Sequence, residues 1–340
     1  MGIPGFSVRQ ARRAEDEGWD GIGFVDSQNL AADPFVELAL AAQATTTLRL
    51  ATAVTNPLTR HPAAMAAAAA TVQAAAGGRF VLGIGRGDSS LAHLGLAPAP
   101  VAMFERYLER LQGYLRGEEI PFDVSADGGG EVAGAAVLGM ADRPAGSRVR
   151  WIRDLPKVPV DVAATGPKVI AAGARVAERV TLAVGADEAR VRWAAGEARR
   201  VSPTVALGMY VPVMVHEDRA TARGLIAGGV ASFARFSVMH GSVAGPVSDS
   251  QRHVLTAVHD AYDMNAHFQH GSPQSAVLTD DVIDAFGIAG PAGYCVDRLR
   301  ALLDVGLSRV FLMGAGFGAD RDATRASTAA LVDTVLPALR

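Results

Sequence analysis

The sequence predicts an α/β fold and, within that class, a (β/α)8 barrel with an insertion region. Strand-like apolar runs alternate with helical patterns along most of the 340 residues. Each run is joined to the next by a helical stretch, which is typical of parallel strands with right-handed crossovers. An open, doubly wound sheet is the alternative. No second domain is visible in the pattern, so we expect a single domain over residues 1–340.

The predicted strands are short apolar runs between helical stretches. They cover residues 20–26, 48–54, 80–85, 158–164, 179–185, 207–216 and 309–315. One more strand would close a barrel of eight, and it is expected ahead of the first helix. Only Met1–Phe6 precede that helix, so either Gly2–Gly5 form a truncated first strand or the true start lies upstream.

Local signals predict where several helices begin. The four residues from Ser7 have the spacing of a capping box, which predicts a helix over 8–17. Asp33-Pro34 and His61-Pro62 each place a proline at a first helical position. Between residues 117 and 157 the pattern fails, and we expect an insertion of short strands or loop there. Together with the poorly patterned region 240–280, this insertion is expected to set substrate specificity.

Composition excludes several classes of function. A net charge of −3 gives no reason to expect a nucleic-acid partner or an anionic membrane surface. The longest apolar run, around Ala63–Ala76, is too polar for a membrane span. A single cysteine, Cys295, fits a reducing cytoplasm. The eight histidines lack the spacing of a metal site, so no metal is expected.

The stretch RFVLGIGRGDSS, residues 79–90, resembles a dinucleotide-binding turn only superficially. Gly83, Gly85 and Gly87 alternate, whereas the fingerprint G-x-G-x-x-G would need a glycine where Asp88 stands. In a barrel the carboxyl ends of strands carry the active site, where glycines let a planar ligand lie against backbone. Asp88 could then act as an acid. The alternative is that the glycines allow barrel curvature and Asp88 caps a helix.

Other predicted strand ends also carry polar residues. Asp26 ends its strand and could cap a helix or contact a ligand. Asn56 follows the next strand and could reach into the barrel mouth. Thr165-Gly166-Pro167-Lys168 places backbone N–H groups, a hydroxyl and a lysine at a helix N-terminus, which is a natural anion site. A plain helix cap explains this last segment equally well.

The run VTNPLTRHPAAMAAAAATVQAAAGGRFVLGIGRGD, residues 54–88, resembles the luciferase-like monooxygenase superfamily. It is most similar to the coenzyme F420-dependent branch, which includes methylenetetrahydromethanopterin reductases. Further matches lie at 11–26, 158–178 and 286–314, so the resemblance spans nearly the whole chain. It implies a (β/α)8 barrel with an insertion, usually dimeric, and a deazaflavin ring in the barrel mouth.

The resemblance also implies roles for individual residues. Asp26 stands where the family has an acid near the ring. Ala53 and Val54 match a bulge where the family often has a non-prolyl cis peptide, and Asn56 lies beside it. Asp88 matches an acid proposed as a proton donor. Gly85 and Gly87, just before Asp88, would leave room for the ring.

Thr165, Gly166 and Lys168 match the segment that holds the cofactor's side-chain phosphate, and Gly185 would also lie near the cofactor. His267, with Tyr262 and Asp263, is placed on the substrate side and could exchange a proton. These three could equally be ordinary helix positions.

We therefore expect a homodimeric, cytoplasmic F420-dependent oxidoreductase that transfers a hydride between deazaflavin C5 and a small organic substrate. Asp88, Asp26 and His267 are its predicted catalytic residues. One alternative is a reduced-FMN-dependent monooxygenase of the same superfamily. Another is a non-catalytic flavin-binding protein.

Overall fold

A computed structural model describes residues 5–122, 139, 144–152 and 154–340. The chain divides into two compact units, each described here by itself. Unit 1 is residues 1–162 with 176–178, and unit 2 is residues 163–175 with 179–340. Parallel strands alternate with helices in both units, which confirms the predicted α/β class.

Unit 1 has four parallel strands in the order β1-β2-β3-β6, and a separate antiparallel pair, β4-β5. The strands are β1 (Gly21–Phe24), β2 (Arg49–Thr52), β3 (Phe80–Ile84), β4 (Ile120–Pro121), β5 (Gly146–Ser147) and β6 (Val160–Ala164), whose last two residues fall in unit 2. The helices are α1 (Phe6–Asp16), α2 (Pro34–Ala44), α3 (Pro62–Ala75), α4 (Ser89–Ala92) and α5 (Val101–Leu115).

The starts of α2 and α3 follow the predicted signals. The Asp33 carboxylate accepts the first free N–H groups of α2, and the His61 Nδ1 atom accepts the N–H of Ala63 in α3. The predicted start of α1 is wrong. Gly5 adopts a left-handed conformation with φ of 74° and precedes the helix, so Ser7 lies buried within the first turn.

Two predictions fall partly outside the described residues. Within the expected insertion 117–157, the short strands β4 and β5 are present, and the triple glycine at 128–130 is not described. The expected first strand also falls on undescribed residues, except for Gly5.

Unit 2 has a parallel sheet in the order β7-β8-β10, with β9 added beside the end of β8. The strands are β7 (Arg179–Leu182), β8 (Ala206–Val215), β9 (Ile288–Gly290) and β10 (Arg309–Met313). The helices are α6 (Pro167–Val176), α7 (Glu188–Val201), α8 (Arg219–Phe236), α9 (Asp249–Asp260), α10 (Pro273–Ala276), α11 (Asp280–Phe286), α12 (Ala292–Leu303), α13 (Arg321–Ala330) and α14 (Leu336–Ala338).

The sequence predicted all the longer strands and missed β9. Its three residues are too short for a recognisable alternation, and it forms only because Val213–Val215 offer a free edge at the end of β8. Behind this edge, α8 and α11 bury an apolar cluster that includes Met214, Ile226 and Phe286. This cluster holds the carboxyl end of β8 in place.

A buried arginine secures the loop that follows β7. Arg190 of α7 is 1% exposed, and its guanidinium lies over the Phe286 ring at 5.0 Å. Its hydrogen bonds go to Val184 O (2.8 Å), Pro246 O (2.9 Å), Ser237 Oγ (2.9 Å) and Ala244 O (3.1 Å). Burial lowers the pKa of Arg190 to about 10, so the side chain stays charged at neutral pH. It therefore ties residues 184–187 to residues 237–246.

Replacing Arg190 with methionine should lower the free energy of unfolding by about 3 kcal/mol, because buried acceptors lose a charged donor. Urea unfolding measures the change. Arg192→Met is the matched control, since Arg192 is an exposed arginine on the same helix and its ion pair is with Glu188. Equal effects of the two substitutions would contradict the role assigned to Arg190.

A second prediction concerns Glu15, whose carboxylate accepts the N–H groups of Thr46, Thr47 and Leu48 just before β2. These bonds, led by that from Thr47 N–H, lower the pKa of Glu15 from 4.5 to about 2. The stabilisation is therefore complete above pH 4.5 and is lost as the pH falls towards 2.

Glu15→Gln should cost about 1 kcal/mol of unfolding free energy at pH 7, comparable to a lost cap on a partly exposed site. The variant should also show a shallower loss of stability between pH 4.5 and 2. Glu17→Gln, at the C-cap of the same helix, is the control, and a chemical denaturation series in pH measures both. Parallel pH profiles for wild type and Glu15→Gln would refute this assignment.

Candidate functional site

Asp26 lies just past the carboxyl end of β1 and is 3% exposed. Its Oδ2 atom accepts hydrogen bonds from the Thr55 hydroxyl at 2.6 Å and from Arg60 Nη1 at 2.8 Å. Its Oδ1 atom accepts one from Gln28 Nε2 at 2.6 Å. Three donors therefore fix the position and orientation of this carboxylate.

The segment after β2 contains the peptide feature that the resemblance implied. The Ala53–Val54 peptide bond is cis. The next residue, Thr55, forms two backbone hydrogen bonds with the end of β3. Its N–H donates to Gly83 O, and its carbonyl accepts from the N–H of Gly85, each at 2.9 Å. The segment is thus fixed beside the end of β3.

Asn56 begins a tight turn and has one unused donor. Its Oδ1 atom accepts the N–H groups of Leu58 at 3.0 Å and Thr59 at 3.1 Å, which fixes the orientation of the amide. Its Nδ2 atom is buried and has no hydrogen-bond partner among the described residues. A buried donor left in this way is suited to an acceptor oxygen on a ligand.

The glycines after β3 have structural reasons of their own. A Cβ on Gly83 would lie 2.1 Å from Thr52 O, so only glycine permits this approach of β2 and β3. Gly87 has a φ of 86°, and a Cβ there would meet Leu91. Gly85 is buried and bonds to Thr55. Backbone geometry therefore explains why Gly83 and Gly87 are glycines. The idea that Gly85 leaves room for a cofactor ring stays a prediction.

Asp88 immediately precedes the short helix α4, yet its side chain makes no capping bond to that helix. Asp88 is thus the N-cap residue of α4 by position, as the alternative expected, and its role as an acid stays a prediction. Unit 1 thus brings Asp26, Ala53, Val54, Asn56, Gly85, Gly87 and Asp88 to the carboxyl ends of three neighbouring strands, β1, β2 and β3.

In unit 2, four predicted cofactor residues lie at the carboxyl ends of β6 and β7. The Thr165 hydroxyl donates to Ala183 O at 3.2 Å, and Gly166 O accepts the first amide bonds of α6. Lys168 is exposed in the first turn of α6 and forms no ion pair within the described residues. Gly185 has a φ of 90° and lies so close to α11 that a Cβ would sit 2.9 Å from Ala285 O.

His267 lies between α9 and α10, and its Nδ1 atom is 2.5 Å from the Tyr262 hydroxyl. Tyr262 also bonds to Ser232 of α8, and Phe268 adopts a left-handed conformation with φ of 62°. Within unit 2 this pair packs against α8. A catalytic role for His267 stays a prediction.

Sequence reasoning missed two residues that hold the site. Thr55 and Arg60 bind Asp26 from positions 29 and 34 residues further along the chain. No local signal marks them, because their role depends on which strands become neighbours.

The described residues offer neither a metal site nor a membrane-spanning helix. They contain no group of three or more histidine, cysteine or acidic side chains arranged to hold a metal. None of their helices combines the length and apolar character needed to cross a membrane.

Comparison with known proteins supplies the family. A sequence model of luciferase-like monooxygenases matches residues 4–309. The 5,10-methylenetetrahydromethanopterin reductase of Methanolobus tindarius is 26% identical over 322 residues, which cover 92% of this chain and 90% of that protein. The corresponding reductase of Archaeoglobus fulgidus is 27% identical and covers 91% of this chain and 89% of that protein.

Solved structures share the fold. The coenzyme F420-dependent tetrahydromethanopterin reductase of Methanopyrus kandleri has a TM-score of 0.72 at 20% identity, covering 99% of this chain and 96% of that one. An F420-dependent secondary alcohol dehydrogenase bound to an F420-acetone adduct has a TM-score of 0.67 at 16% identity, covering 98% and 94%. The 3,6-diketocamphane monooxygenase of Pseudomonas putida in complex with FMN has a TM-score of 0.62 at 15% identity, covering 98% and 93%.

These likenesses confirm the predicted (β/α)8-barrel fold class. The match to the family model covers most of the chain. The protein therefore belongs to the luciferase-like monooxygenase family.

Proposed function

We propose that the protein is an F420-dependent oxidoreductase acting on a small organic substrate. The proposal rests on the groups that follow two neighbouring strands. The buried Asp26 carboxylate follows β1, and the cis peptide at Ala53–Val54 and the Asn56 amide follow β2. The names of the similar reductases and dehydrogenase support the choice of cofactor.

The residues present fit such a cofactor. The buried Nδ2 donor of Asn56 suits a carbonyl oxygen of a deazaflavin ring. In unit 2, Lys168 at the N-terminus of α6 suits a phosphate, since its positive charge and the helix dipole favour anions there. Thr165 and Gly166 precede this helix and would hold the same phosphate.

When bound, F420 supplies or accepts a hydride at C5 of its deazaflavin ring. The chain's own residues then have separate tasks. The Asp26 carboxylate, through its hydrogen bonds with Thr55 and Arg60, would orient the segment that carries Asn56. Asp88, at the N-cap of α4 after β3, would hold or release the proton that accompanies the hydride.

A reduced-FMN monooxygenase is the second candidate. The fold shared with a monooxygenase in complex with FMN favours it. Both candidates place a tricyclic ring near the same residues, so the cofactor itself must be tested.

Titration of the purified protein with F420 and with FMN should quench F420 fluorescence at far lower concentration than FMN fluorescence. Asn56→Leu should weaken F420 binding about tenfold, because a buried donor and its ligand hydrogen bond are lost. Asn265→Leu is the control, since Asn265 is an exposed asparagine outside the predicted site. Tight binding of FMN without binding of F420 would favour the monooxygenase.

We also propose that the protein forms a homodimer through the outer face of α2 and α3. Helix α3 contains no charged residue, and Val36 and Leu40 of α2 are 58% and 49% exposed. A recess of about 380 Å³ lies between the two helices, floored by small side chains that include Ala39 and Ala68. Protruding and recessed apolar groups on one uncharged face suit a second copy of the same face.

Leu40→Glu should shift the protein from dimer to monomer, because a charge would be buried without a partner at the centre of this face. Light scattering coupled to size-exclusion chromatography measures the mass. Leu96→Glu is the control, since Leu96 is 47% exposed and lies outside the face. A wild-type monomer, or a Leu40→Glu dimer, would refute this interface.

A further inference from the structure

We propose that Arg60 is a positioning residue of the cofactor site, acting through Asp26 on the segment that carries Asn56. This inference rests on the proposed function. Neither the sequence patterns nor the family resemblance assigned a role to Arg60.

Arg60 lies between two carboxylates of unit 1. Its Nη1 atom donates to Asp26 Oδ2 at 2.8 Å, and its Nη2 atom donates to Asp33, the residue that caps α2. The guanidinium lies over the Phe35 ring, 4.8 Å from its centre. The backbone carbonyl of Arg60 accepts a hydrogen bond from the Tyr107 hydroxyl at 2.9 Å. The side chain is thus held on three sides, and the rigid guanidinium fork suits two separate acceptors.

A single oxygen atom fixes both ends of the segment 55–60. Asp26 Oδ2 accepts the Thr55 hydroxyl at the start of the segment and the Arg60 guanidinium at its end. Between these two points, Asn56 Oδ1 holds the turn by accepting the Leu58 and Thr59 N–H groups. The hydrogen bonds therefore close a ring in which Asn56 has little freedom to move.

Arg60 is the cation that permits this arrangement. Asp26 is buried, and across the described ranges it forms an ion pair with no other residue. A buried carboxylate is costly unless a charge partner and hydrogen bonds compensate it. Without the guanidinium, Asp26 would turn towards water, and the end of the segment would be released. The amide of Asn56 would then lose its fixed direction.

Arg60→Lys tests the inference, because lysine keeps the charge but cannot reach both carboxylates in the fixed geometry of a fork. The matched control is Arg79→Lys. Arg79 is another half-buried arginine of unit 1, and its bonds go to Leu48 O and neighbouring backbone and hydroxyl groups, not to a carboxylate. Both variants would be compared for thermal unfolding, F420 binding and amide hydrogen exchange.

Arg60→Lys should raise the F420 dissociation constant about tenfold, the size of one lost charge-assisted bond, and Arg79→Lys should leave it within about twofold. In the cofactor-free protein, exchange of the Leu58 and Thr59 amides should become about tenfold faster in Arg60→Lys alone. A purely structural role of Arg60 would instead lower the unfolding temperature of Arg60→Lys without these local effects.

The inference is overturned if Arg60→Lys leaves the exchange of both amides at the wild-type rate, or if it leaves F420 binding unchanged. Failure of the wild type to bind F420 would instead overturn the proposed function. The exchange measurement would still decide the role of Arg60 in holding the segment, because it needs no cofactor.

Discussion

The arrangement of unit 1 depends on one carboxylate oxygen, Oδ2 of Asp26. It lies at the end of β1 and binds Thr55 and Arg60, which belong to the connection between β2 and α3. Arg60 carries the link on to Asp33 at the start of α2. A strand end and the segments leading into two helices are thus joined at one buried charge. Such a charge is stable only when fully hydrogen-bonded, so each partner constrains the others.

In unit 2, a buried cation in place of a buried carboxylate orders the loops. Arg190 is buried, and its hydrogen bonds go to backbone carbonyls and one hydroxyl, while the Asp187 charge contributes at longer range. The carbonyl dipoles compensate the guanidinium and, in return, are held in fixed positions. In both units a single ionised side chain gives order to loops that have little apolar material of their own. Loops at the carboxyl ends of strands need this, because they carry the functional groups.

Much of this was predictable from local patterns. The caps at Asp33 and His61, the longer strands and the strand-end positions of Asp26 and Asn56 follow from spacing within a few residues. The hydrogen bonds from Arg60 to Asp26 and from Arg190 to residues 237–246 were not predictable, because they join residues 34 positions apart and at least 47 positions apart. The same holds for Gly83, whose need for a missing Cβ arises from a neighbouring strand. Local sequence shows periodicity and caps, whereas these contacts depend on packing.

The lone amide donor of Asn56 has a consequence for selectivity. A molecule that presents an oxygen to Nδ2 restores a hydrogen bond that the folded protein lacks. A molecule of similar shape with a C–H group at that point would leave the donor unsatisfied and would be rejected by that cost. Discrimination of this kind acts against wrong ligands more strongly than apolar contact can favour the right one. By fixing the direction of the Asn56 amide, the turn held by Asp26 and Arg60 would then determine which cofactor rings bind weakly.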